Sequence, residues 1–141
     1  NALICHPIPP SPTFSYSSYG ITRTISKGSC NSALALVADT LAQAGWRLAG
    51  TVQINIEKSG YHYCDMDVRV LPNGPMIRIS QNLGRAARGC RLDAGALEAA
   101  VVMAERGIAA GADLLIVNKF GKQEAEGHGF RALIAEALAQ R

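Results

Sequence analysis

An α/β layered fold with a partly parallel sheet follows from three features of the chain. Strand-like and helix-like apolar spacings alternate along its length. The run Leu114–Val117 is wholly apolar and bounded by polar residues, as in a strand buried on both faces. Asn73-Gly74 separates two alternating segments and marks a β-hairpin, with strands about 64–71 and 76–81.

Residues 1–18 are rich in Pro and Ser and show no periodicity. Pro7, Pro9, Pro10 and Pro12 argue against a regular helix or a central strand, so an extended arm or a disordered leader is expected. Residues 19–141 are then expected to form a single α/β domain, a length sufficient to bury one core.

Tyr19–Ile25 is β-rich and Ser26–Asn31 breaks the pattern. A helix is expected over about 32–44, with Leu34, Val37, Ala38 and Leu41 on one face. Asn31 or Ser32 suits its N-cap and Gly45 its C′ position. Trp46 is expected to pack beneath this helix. Arg47–Ile56 reads as a second strand, completing a unit of the kind that forms right-handed parallel crossovers.

A two-residue turn at Asn73-Gly74 would set Val70 opposite Ile77 and Val68 opposite Ile79. It would also oppose Arg69 and Arg78, an unfavourable pair that Asp67, on the same face, is expected to offset. Gln81–Gly89 is irregular. A helix over about 94–109 follows, with Asp93 as N-cap and Leu97, Val101, Ala104 and Ile108 in register. Gly111 leads into the buried strand, and a last helix is expected from Gly127 or His128 to Ala139.

Composition narrows the function. Charged residues make up 18% and apolar residues 48%, the balance of a folded globular chain. A net charge of +3 without a basic helix or an RNA-binding signature argues against nucleic acid as a partner. No apolar run has the length of a membrane span and no signal-peptide pattern opens the chain. Cys5, Cys30, Cys64 and Cys90 are too scattered for a zinc site or a disulfide framework, so reduced thiols and a cytoplasmic location are expected. His62 and Cys64 supply only two ligands, and no metal site is expected.

The candidate chemistry lies at strand ends. In open α/β sheets, ligands sit beyond the carboxyl ends of parallel strands. The segment after Val117 holds Asn118, Lys119, Gly121, Lys122 and Glu124. Lys27, Gly28 and Ser29 precede the first helix, where free backbone N–H groups attract anions. They lack the G-x-x-x-x-G-K-[ST] pattern of an ATP cradle. Arg78, Arg85, Arg88 and Arg91 fall within fourteen residues around a Gly-containing loop. Guanidinium forks match phosphate-like oxyanions, although such clusters are ordinarily solvated surface. Cys90 lies beside Arg91 but no base is tied to it, so packing is its expected role.

The run from Asp113 through Asn118, Lys119, Gly121, Lys122 and Glu124 resembles the second signature of small P-loop nucleoside-triphosphatases of thermophilic type. Gly121, Lys122 and Glu124 match that pattern, while Asn118 and Lys119 stand where it has Asp and Glu. Four blocks resemble more closely a bacterial family of unknown function often encoded beside molybdate-uptake genes. They are Gly45–Gln53, Cys64–Met66, Arg78–Gly84 with Gly89–Asp93, and Asn118–Gly127. Residues before Tyr19 do not resemble that family, and residues 19–141 are expected to lack a strand that its members usually add after the last helix.

The resemblance implies a P-loop-like fold and a phosphate-bearing nucleotide or a small oxyanion as ligand, with a link to molybdenum uptake or metabolism. Asn118 offers a neutral amide and Lys119 a positive charge in place of the carboxylates that would hold Mg²⁺. This exchange favours anion binding over hydrolysis, with Lys27, Gly28, Ser29, Arg85, Arg88, Arg91, Asn118, Lys119, Gly121 and Lys122 as candidate ligand-binding residues. Two alternatives stay open. One is a weak nucleoside-triphosphatase in which Glu124 positions a water. The other is a non-catalytic interaction module, homodimeric or paired with another chain through an open sheet edge.

Overall fold

The computed structural model describes residues 2–7, 20–23, 29–56, 65–81, 92–118 and 120–139. They form strands β1 (Ala2–Pro7), β2 (Gly20–Arg23), β3 (Leu48–Ile56), β4 (Asp65–Val70), β5 (Met76–Arg78) and β6 (Leu114–Val117). The helices are α1 (Ser29–Gln43), α2 (Ala94–Ala109), α3 (Lys122–Ala125) and α4 (Arg131–Ala139). One sheet has the order β2-β1-β6-β3-β4-β5, and only the β3–β6 pair is parallel among the described strands. Among the residues whose side chains are described, β3, β4, β5 and β6 contribute to the apolar clusters. This mixed sheet with flanking helices is compatible with a P-loop-like layered fold.

Alternation along β3 and β6 divides the core into two faces. Leu48, Val52, Leu114 and Ile116 pack with Leu34 and Ala38 of α1. Ala49, Leu115 and Val117 face the other way, against Leu97, Val101 and Ala104 of α2 and Leu133, Ile134 and Ala137 of α4. All four residues of β6 are buried, as the apolar run predicts for a doubly covered strand. The α2 prediction also holds: Asp93 caps the helix and accepts a bond from the Ala96 N–H at 3.0 Å.

Several expectations are corrected. Ala2–Pro7 forms a strand between β2 and β6, where the prolines argued against a central strand. Pro7 ends the strand, and Pro9, Pro10 and Pro12 come after it, so β1 keeps its other N–H donors. Helix α1 opens at Ser29, which puts Asn31 and Ser32 inside its first turn rather than at the cap. Val37 is exposed because helical rotation carries it about 60° away from Leu34. Trp46 is also exposed, beyond the left-handed turn at Gly45 (φ +87°).

The hairpin register is shifted by two residues. Val68 pairs with Ile77, Arg69 with Met76 and Asp67 with Arg78. The Val70 N–H reaches the Pro75 carbonyl (3.1 Å), so the loop is Leu71–Gly74, four residues rather than two. A two-residue shift preserves the side-chain faces, which is why Val68 and Val70 stay buried. The shift also removes the opposition of two arginines. Arg78 Nε donates to Asp67 Oδ1 at 3.0 Å, and Arg69 turns to Asp39 of α1 at 2.6 Å. Strand β5 ends at Arg78 rather than residue 81. The Ile79 N–H still bonds to Met66, and Ser80 forms only an isolated bridge with Leu92.

Two contacts hold the parallel pair. Gly50 has φ +103°, and a Cβ there would overlap the carbonyl oxygen of Ile116 and lie 2.8 Å from its carbonyl carbon. Only glycine permits this approach. At the strand starts, Arg47 donates to both carboxylate oxygens of Asp113, Nη2 at 2.5 Å and Nε at 3.0 Å. The Arg47 carbonyl accepts from the Asp113 N–H at 2.7 Å. The side-chain bonds from Arg47 hold the Asp113 carboxyl below its ordinary range.

Gly50→Ala should therefore cost about 3–5 kcal/mol in denaturant unfolding. Gly45→Ala, left-handed but with open space around it, should cost only about 1–2 kcal/mol. The depressed Asp113 carboxyl adds stability that is complete above the ordinary carboxylate value of about 3.9 and is lost as pH falls through the folded value. Unfolding midpoints measured across that acid range should show this loss, and Asp113→Asn should remove it.

Candidate functional site

Beyond β6 the chain meets the first turn of α1. Asn118 is 6% exposed, and its Nδ2 donates to Oδ1 of Asn31 at 3.3 Å. The carboxyl end of the parallel strand and the N-terminal turn of the helix thus converge. Ser29 opens that helix, while Lys27 and Gly28 lie outside the described residues. Lys119, Arg85, Arg88 and Arg91 also lie outside them, as do Cys90 and the His62–Cys64 segment. The expected gathering of the arginine loop onto Asn118–Lys122 therefore rests on sequence alone.

The segment after Asn118 holds a short helix, and the last helix is shorter than expected. Lys122–Ala125 forms the single turn α3, and α4 begins at Arg131 rather than at Gly127 or His128. Gly127 (φ +95°) and Gly129 (φ +60°) take left-handed conformations that interrupt any continuous helix.

Glu124 organises this segment. It is 3% exposed, and its Oε2 accepts the Gly121 N–H at 2.7 Å. Its Oε1 accepts the Phe130 N–H at 3.3 Å. The first bond is the backward half of a capping box, in which a Glu in the first turn satisfies the N-cap donor. The second joins α3 to the start of α4. Gly129 makes room for the carboxylate: a Cβ there would overlap Oε1 and lie 3.0 Å from Cδ. The Gly129 N–H itself donates to Glu98 of α2 at 2.8 Å. Each oxygen of Glu124 thus accepts one backbone N–H.

Lys122 projects outward, 72% exposed at its side chain, with a 3.6 Å ion pair to Glu126. An ion pair so exposed leaves the ammonium accessible to other anions. Phe120 is 41% exposed. A cavity of about 30 Å³ lies between this segment and the sheet, lined in part by Thr51, Gln53, Asn118, Gly121, Lys122 and Glu124. That volume is on the scale of one or two water molecules. Any larger ligand would have to lie across its rim.

Sequence reasoning missed the polar floor. Thr51 and Gln53 are buried on the same face of β3 as Ala49, beside the end of β6. Two polar side chains at alternate positions of a doubly buried strand were the available signal, because such groups are seldom buried without partners. Asn31 was legible only as a helix cap; its pairing with Asn118 spans 87 positions of sequence. Among the described residues, no group of three His, Cys, Asp or Glu is placed to hold a metal ion.

Glu124→Ala should cost about 3 kcal/mol in denaturant unfolding, because two backbone donors lose a charged acceptor. Gly129→Ala should be comparably destabilising, through steric conflict with Glu124. The double variant should lose less than the sum of the two, which a double-mutant cycle would measure.

Residues 22–141 match the family described as a protein of unknown function, DUF2478. The chain is also 42% identical over 106 residues, 75% of its length, to the molybdenum import ATP-binding protein ModC 2 of Bradyrhizobium diazoefficiens. It spans 12% of that protein's length, so the relative's name describes a far longer chain. No solved structure gives a match. No described helix is long and apolar enough to cross a membrane. With the family match running from residue 22 to the last residue, the chain belongs to the DUF2478 family.

Proposed function

We propose that this chain is a degenerate P-loop-like domain that binds a nucleotide phosphate or a small oxyanion. The observation that carries the reading is the convergence of Asn118, at the carboxyl end of β6, with the first turn of α1. Backbone N–H groups of a helix start attract anions, and strand ends of this type are where open α/β sheets bind ligands. Lys122 supplies an accessible positive charge beside them. Lys27, Gly28 and Ser29 would line the helix side, and Lys119, Gly121 and the Arg85, Arg88 and Arg91 loop would complete the ligand shell.

Hydrolysis fits less well. Both oxygens of Glu124 bind backbone donors, so its role in this reading is to hold Gly121 and Lys122 in place. Asn118 and Lys119 lack the carboxylates that would hold a catalytic Mg²⁺. The similarity to an ATP-binding protein of molybdenum import supports a relation to P-loop nucleoside-triphosphatases, nucleotide as the ligand class and a molybdate link. A protein-interaction module is the second reading. Leu36 and Val37 on the outer side of α1, 68% and 45% exposed, favour it.

A thermal-shift series with ATP, phosphate, molybdate and tungstate, each with and without Mg²⁺, tests the proposal. A selective ligand at about a hundred-fold excess over its Kd should raise Tm by roughly 5–10 °C. Lys122→Ala should reduce that rise without changing the Tm of the free protein. No shift with any of them would move the reading to the interaction module.

A further inference from the structure

We propose that Phe120 is a base-stacking surface at the rim of this site, which makes the ligand a nucleotide rather than a bare oxyanion. The inference rests on the phosphate-site reading above and adds the feature that would select among phosphate-bearing molecules. Isolated exposed apolar residues are ordinary on protein surfaces. Phe120 differs from them in how its loop is held. On one side, Asn118 is buried and bonded to Asn31. On the other, the Gly121 N–H is fixed by Glu124 at 2.7 Å. The ring between these anchors is 41% exposed and belongs to none of the three apolar core clusters.

The size of the cavity decides where a base could go. At about 30 Å³ it does not admit an aromatic ring, so a nucleobase would lie outside it, and Phe120 directly precedes Gly121, one of the residues that line it. A ring that adjoins a backbone N–H already held by Glu124 loses little freedom on stacking. Stacking on an aromatic side chain accepts every base, since each presents a π face. Lys122, two residues on, places a cation within the same segment for the phosphates.

The test is an equilibrium titration of the 141-residue chain with ATP and with inorganic tripolyphosphate, which carries the phosphates without the base. The wild-type protein should bind ATP about ten-fold more tightly than tripolyphosphate, a ratio typical of one stacked base. Phe120→Leu, which keeps apolar bulk and removes the flat ring, should bring ATP to the tripolyphosphate level and leave tripolyphosphate unchanged. Phe120→Tyr should retain the preference. Equal affinity of the wild type for both probes, or equal weakening of both by Phe120→Leu, would overturn the stacking role while leaving a phosphate site in place. Binding of neither probe would overturn the phosphate-site reading and this inference with it.

Discussion

The close approach of Gly50 to the Ile116 carbonyl is the constraint on which the other layers depend. It lies in the middle of the parallel β3–β6 pair, where a side chain would overlap the neighbouring strand. Both apolar faces are built on these two strands. Leu48, Val52, Leu114 and Ile116 receive α1, while Ala49, Leu115 and Val117 receive α2 and α4. The Gly50 carbonyl also accepts the Leu71 N–H at 3.0 Å, which ties the β4–β5 turn to the centre of the sheet. Small residues extend this close packing outward: a Cβ on Gly107 of α2 would lie 3.0 Å from the Cβ of Ala49.

The same pair positions the candidate site. Arg47 and Asp113 fix the strand starts, so the register Thr51↔Val117 delivers Asn118 beside the first turn of α1. From that point the backbone leaves the sheet, and its donors need other partners. Glu124 meets the need by accepting from Gly121 and from Phe130. Burying a carboxylate is costly unless its oxygens are hydrogen-bonded, and here the bonds convert that cost into a rigid connection between α3 and α4. The segment that presents Phe120 and Lys122 is therefore supported from below by a buried acid.

Electrostatic choices across the sheet show how pairing resolves local conflicts. A two-residue hairpin would have opposed Arg69 and Arg78. The four-residue loop instead gives each arginine its own carboxylate, Asp39 for Arg69 and Asp67 for Arg78. Both bridges lie on the α1 side of the sheet, since Val68 and Val70 occupy the α2 side. Neither arginine is among the residues proposed to hold the ligand.

Local patterning by itself determined the α/β class, the buried strand Leu114–Val117, helix α2 with its Asp93 cap and the turn at Gly45. These are short-range properties: apolar run length, helical spacing and the chemistry of caps and turns act within a few residues. Tertiary structure decided the rest. The β1 segment became an interior strand because a neighbouring edge at β6 satisfied its backbone, something no local proline count reports. The hairpin slipped by two residues because the apolar faces are unchanged by an even shift, leaving loop geometry and charge pairing to choose the register. Glu124 was legible as a match to the nucleoside-triphosphatase signature, and long-range packing buried it against the start of α4. Burial and pairing between distant segments are set by which surfaces meet, and sequence spacing carries that information only for neighbours along the chain.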